Sequence, residues 1–156
     1  MALHFERAEF DARVAAARAA LRREDLAAIL LFAQESHFYL TGFDTSGFVS
    51  EASGENVFIV RDGVLKTPPV ETVLDGITRR TVMDLARKRN IEIIERAIFP
   101  EELHRAQEVF LTGSAFGICG VSQVGQVGLP CPGPWTSRLQ TAWADFSGEP
   151  VDASFR

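Results

Sequence analysis

Two strands and the turn between them constrain this chain most. Residues 57–65 read VFIVRDGVL, a β-branched and aromatic run, then Asp62-Gly63, then a second extended run. An Asp-Gly pair supplies the two positive φ angles that a tight hairpin turn needs, so the spacing predicts a β-hairpin. Thr67-Pro68-Pro69 ends its second strand, because proline donates no ladder hydrogen bond and holds the preceding residue extended. Gly76-Ile77-Thr78 then leads into a helical run predicted from Thr78 to Asn90, with Asn90 as its cap. The first-turn amides of such a helix are orphan donors at the positive end of the macrodipole, which suits a phosphate.

The hairpin and helix lie in a longer stretch, Ser50 to Arg80, that reads SEASGENVFIVRDGVLKTPPVETVLDGITRR. Together, SEASGENVFIVRDGVLKTPP, LDGITR and EVFLTGSA resemble the carboxyl-terminal domain of class IV (fold type IV) pyridoxal-phosphate aminotransferases of the branched-chain amino acid type, over about residues 49–148. The resemblance implies pyridoxal 5'-phosphate as a small-molecule phosphate cofactor. It also implies residue roles. Glu51 would pair with the ring nitrogen, the Gly76-Ile77-Thr78 segment would hold the phosphate through backbone amides and a hydroxyl, and Ser114 would do likewise. A carboxylate beside the ring nitrogen favours its protonated, electron-withdrawing form. Phe116 and Gly117 depart from the family, which carries a small residue and an acid there.

The family also holds its cofactor through a lysine some tens of residues upstream of the ring-nitrogen carboxylate. Only Lys66 and Lys88 occur in this chain, and neither matches that position. Residues 15–23 contain arginine but no lysine, and arginine stays protonated. The expected catalytic set is therefore empty, and the chain by itself is expected not to transaminate.

Upstream, Phe10, Val14, Ala17 and Leu21 recur at helical spacing and predict an amphipathic helix over residues 9–23. Leu26–Phe32 is a continuous apolar run of strand length, and Glu35–Leu40 reads as a helical turn. The end of this segment, ESHFYLTGFDTSGF, resembles the amino-terminal domain of creatinase and proline dipeptidase proteins over about residues 5–48. The expected fold is thus α/β: an incomplete creatinase-type α/β layer, residues 1–48, joined to a fold type IV aminotransferase carboxyl-terminal α/β domain, residues 49–150, with a tail at 151–156.

Later elements follow the same rules. Ile91–Ile98 reads as a strand, Pro100–Ala106 as a short helix with proline at its start, and Glu108–Thr112 as a strand. Gly113-Ser114 is expected to open a loop and a helix start. Gly120–Gly133 reads as loop or hairpin and Trp135–Phe146 as a final helix bearing Leu139 and Trp143 on one side.

Composition narrows the partners. With 156 residues, 46% hydrophobic content and a net charge of -5, the chain is long enough for a folded core and carries no long basic run. Nucleic acid and membrane are not expected. His4, His37 and His104 stand apart from one another and from Cys119 and Cys131, so no metal is expected, and the thiols read as reduced in a cytoplasmic protein. The charged opening residues predict no signal peptide. A homodimer would cover the apolar edge at Leu26–Phe32. Three functions stay open: an aminotransferase-type half-site, a phosphate-ligand-binding module without chemistry, and a protein-interaction fragment with a peptidase-type amino terminus.

Overall fold

The computed structural model describes residues 7–23, 47–52 and 54–148. The chain divides into two compact units, Met1–Phe48 and Val49–Arg156. In the first, helix α1 (Arg7–Arg23) carries Val14, Ala17 and Leu21 at half-buried positions, as the apolar spacing predicts. The strand expected at Leu26–Phe32 and the turn at Glu35–Leu40 lie outside the described residues, as does the tail.

The second unit is built on a five-stranded sheet. Its elements are β1 (Asn56–Arg61), β2 (Val64–Thr67), α2 (Ile77–Lys88), β3 (Ile93–Glu95), α3 (Pro100–His104), β4 (Glu108–Gly113), β5 (Gly117–Gly120), the small hairpin β6 (Gln123–Val124) and β7 (Val127–Gly128), and α4 (Pro134–Ser147). The strand order is β3-β2-β1-β4-β5, and only β2 and β3 run parallel. Asp62 and Gly63 take φ of 56° and 76° between paired Arg61 and Val64, the tight turn expected of that dipeptide.

Phe58, Val60 and Phe110 face α2 and α4 and pack with Leu65, Ile118, Val82, Met83, Ala86 and Leu139. The Phe58 and Phe110 rings stack at 5.0 Å across the β1–β4 pair. Val57, Ile59, Val109 and Leu111 on the opposite face are buried as well. Burial on both faces explains why β1 reads as an unbroken apolar run rather than an alternating one.

Helix α2 ends as its sequence predicts. Asn90 has φ of 56°, its N–H donates to Arg87 O, and Ile91 N–H donates to Ala86 O, which together close the last turn. The start of α4 has a less local cause. Buried Glu108, at the start of β4, accepts hydrogen bonds from Trp135 N, Thr136 N and Thr136 Oγ1 at 2.7–2.9 Å. It thus supplies the N-terminal cap from 27 residues away, and a Cβ on Gly133 would overlap its carboxylate.

Two expectations need correction. The strand predicted over Ile91–Ile98 is confined to Ile93–Glu95, because its partner β2 stops at Thr67 before Pro68; beyond the bond from Arg96 N to Thr67 O, Ile98 pairs only in an isolated bridge with Val49. Nor does Gly113-Ser114 open a helix. Residues 114–116 form a turn that returns the chain as β5, with Gly113 opposite Gly117. Gly117 takes φ of 71° against the Trp143 indole, so the turn closes where no side chain fits.

Candidate functional site

The segment 50–56 and the loop 72–76 are tied together at the entrance to α2. Glu51 forms an isolated bridge with Asn56, which brings the half-buried Glu51 carboxylate back over the start of β1. Glu51 Oε2 accepts from Leu74 N at 2.7 Å and from Asn56 Nδ2 at 3.4 Å. Asn56 Nδ2 also donates to Leu74 O at 2.8 Å, and Ser50 Oγ donates to Thr72 O at 2.8 Å. Among the described residues Glu51 Oε1 has no hydrogen-bond partner.

Gly76 follows directly as the N-cap of α2, with φ −63° and ψ 138°. Its N–H donates to Leu74 O, and a Cβ there would overlap Asn56 Oδ1, so glycine is required by close approach rather than by backbone angle. No side chain caps α2, and its first turn holds no acidic residue. The amides of that turn are therefore left without a side-chain acceptor, and Asp75, just before the cap, is paired instead with Arg79 and Arg80 at 3.8 and 3.6 Å. The Ile77 side chain is 71% exposed while Thr78 is buried. Arg79 anchors the turn from beneath, donating to Pro68 O at 2.9 Å and to Glu95 Oε2 at 2.8 Å, with Asp75 Oδ1 at 3.8 Å.

Ser114 is exposed at the head of the β4–β5 turn. Beside it Phe116 folds back over Gly113: a Cβ on that glycine would lie 3.0 Å from Phe116 Cζ and 3.4 Å from Glu55 Cγ. Burial raises the Glu55 carboxyl above its ordinary range, and the Glu51 charge adds to the shift. Thr112, opposite Asn56 in the β1–β4 register, is 1% exposed and its hydroxyl has no hydrogen-bond partner among the described residues. The structure thus joins Glu51 to the Gly76–Thr78 segment through Leu74 and Asn56, and it puts Ser114 on a different strand end, beyond the Glu55–Gly113 contact.

Both lysines lie away from this junction. Lys66 pairs with Ile59, and alternation along β1 sets Ile59 on the face opposite Asn56. Lys88 is the exposed last residue of α2, about 16 Å along the axis from the helix start. The clamp formed by Ser50 and Asn56 has no signature in the sequence, because an asparagine beside a turn ordinarily bonds a neighbouring backbone group.

Comparisons with known proteins agree on one group. The family model described as amino-transferase class IV matches residues 11–124. A branched-chain-amino-acid aminotransferase of Escherichia coli K12 is 43% identical over 122 residues, 74% of this chain and 40% of the relative. The crystal structure of an Escherichia coli branched-chain amino acid aminotransferase superposes with a TM-score of 0.63 at 41% identity, covering 70% of this chain and 38% of the other. An aminotransferase from Brucella abortus, solved bound to the cofactor PLP, gives 0.64 at 30% identity over 67% of this chain and 38% of the other. The chain spans about two fifths of the length of the curated relatives it matches.

Proposed function

Since the chain belongs to the class IV aminotransferases, we propose that it carries half of a pyridoxal-phosphate site of the branched-chain amino acid aminotransferase type. In this reading Glu51 accepts a hydrogen bond from the protonated ring nitrogen through Oε1. The amides of the Gly76-Ile77-Thr78 segment and the Thr78 hydroxyl hold the phosphate, with Ser114 as a further donor. When bound, the cofactor supplies an electron-withdrawing ring that stabilises negative charge on the substrate carbon.

The donor set fits that group. A half-buried carboxylate with one oxygen committed and one open suits a cationic N–H, and an uncapped helix start whose first turn holds Arg79 and Arg80 but no acidic residue suits a dianion, Asp75 before the cap being paired with those two arginines. One observation carries the reading most: both features hang on the backbone of one residue, Leu74, whose N–H donates to Glu51 and whose carbonyl accepts from Asn56 and Gly76. Those are the two ends that one rigid cofactor would need held at a set spacing.

The same reading leaves the chain without a covalent anchor. The placement of Lys66 on the far face and Lys88 at the far end of α2 supports this. Titration of the full chain with pyridoxal 5'-phosphate is expected to give saturable binding that phosphate competes away. Borohydride treatment of the complex should leave both lysines unmodified by mass spectrometry, and the chain alone should not exchange amino groups between leucine and a 2-oxo acid. A pyridoxyl group on Lys66 or Lys88, or no saturable binding at all, would sink the proposal.

The creatinase-type reading of residues 5–48 is a separate proposal, carried by the ESHFYLTGFDTSGF motif; the class IV match begins at residue 11 and overlaps it. Assembly as a cytoplasmic homodimer is likewise proposed, to be checked by analytical ultracentrifugation.

A further inference from the structure

Asn56 is a buried polar side chain, 5% exposed, that no catalytic role requires. Its amide nevertheless touches both ends of the junction. Nδ2 lies 2.8 Å from Leu74 O and 3.4 Å from Glu51 Oε2, and Oδ1 fills the space that a Cβ on Gly76 would occupy. The neighbouring tie from Leu74 N to Glu51 Oε2, at 2.7 Å, closes a ring of contacts running Glu51, Leu74, Asn56 and back. Gly76, the N-cap of α2, packs against that ring, with its own N–H bonded to Leu74 O.

The amide suits this task because it is planar and neutral and offers donors on one arm and an acceptor on the other. The donor arm holds the Leu74 carbonyl and leans on the Glu51 carboxylate. The acceptor arm sets how closely Gly76 approaches the sheet. A carboxylate at position 56 would place a second negative charge against Glu51 and lose the donors. A shorter side chain would let the 72–76 loop, and α2 with it, move relative to β1.

Resting on the half-site reading above, we infer that Asn56 is a positioning residue that fixes the spacing between the ring-nitrogen carboxylate Glu51 and the phosphate-holding start of α2. Its contribution lies in the register between two contacts rather than in either contact alone. Removing it therefore weakens a ligand that spans both ends much more than one that uses a single end.

The test compares the full chain with Asn56→Ala and Asn56→Asp. Each is titrated with pyridoxal 5'-phosphate and, separately, with inorganic phosphate, and amide hydrogen exchange is followed without ligand. In both variants the Leu74 amide is expected to exchange at least tenfold faster while amides of Phe58–Val60 keep their protection. The ratio of pyridoxal 5'-phosphate affinity to phosphate affinity is expected to fall at least tenfold, with phosphate affinity changed less than twofold. An unchanged ratio in a folded variant overturns the role of Asn56 and leaves the half-site reading standing. Equal losses for both ligands overturn it too, because Asn56 then holds α2 as a whole. If both variants fail to fold, the assignment is also overturned, since a spacer acting on one loop leaves the sheet intact. A wild-type chain that binds neither ligand removes the half-site reading and the role of Asn56 together.

Discussion

Single buried carboxylates decide more in this chain than their sequence context reveals. Glu51 sits in a glycine-flanked acidic motif that draws attention to it as a candidate; Glu108 begins an apolar strand and looks like an ordinary solvated end. Yet Glu108 is the buried one, with three donors from the start of α4 arranged around it. A partner 27 residues distant leaves no local pattern, which is why sequence reasoning passes over it. Glu108→Gln keeps the shape but removes the charge from charge-assisted bonds and from the helix N-terminus. It is expected to lower unfolding free energy by about 2–3 kcal/mol, measured by urea denaturation. Loss of less than about 0.5 kcal/mol would mean that solvent or another group caps α4 equally well.

At the scale of elements, what the sequence made legible was the periodic and the punctuated: the Asp62-Gly63 turn, the Pro68-Pro69 stop, the span of α2 and its Asn90 terminus. What it hid was pairing. The length of β3 is set by where β2 ends, and the fate of Gly113-Ser114 is set by β5 returning along β4, neither of which has a local signal. A second link between elements fastens α3. Arg96, just after β3, forms a bidentate pair with Glu102, which also accepts from Phe99 N at 3.0 Å at the start of α3. The hydrogen bonds from Arg96, first among the causes, lower the Glu102 carboxyl from its ordinary 4.5 to about 2. A folded pKa below the unfolded one means stabilisation that is complete above about pH 4.5 and is lost as pH falls toward 2. Allowing for screening at the partly exposed Arg96, the contribution is about 1–2 kcal/mol. Glu102→Gln is accordingly expected to destabilise the chain at pH 7 and to flatten the acid limb of its stability profile between pH 4.5 and 2. An acid limb as steep as that of the wild type would place the titration elsewhere.

For the whole molecule, the relevant fact is that every described residue of the proposed half-site belongs to the unit Val49–Arg156. The family model nevertheless extends from residue 11, so descent and compactness draw different borders. The motifs that made this family legible, SEASGEN, LDGITR and LTGSA, all fall within the second unit, and the contacts that join the first two are internal to it. A ligand held by that geometry stabilises the sheet and α2 through mass action, by about 2.7 kcal/mol when present at a hundred times its dissociation constant. Such stabilisation is local where folding units are separable. With pyridoxal 5'-phosphate at that excess, hydrogen exchange is expected to slow for amides of α2, β1 and β4, including Leu74 and Thr78, and to stay unchanged within twofold across α1. Equal slowing in α1 would show that residues 7–23 take part in the ligand-bound unit. That outcome would shift the functional boundary from the compact border at Val49 to the border that the family match draws.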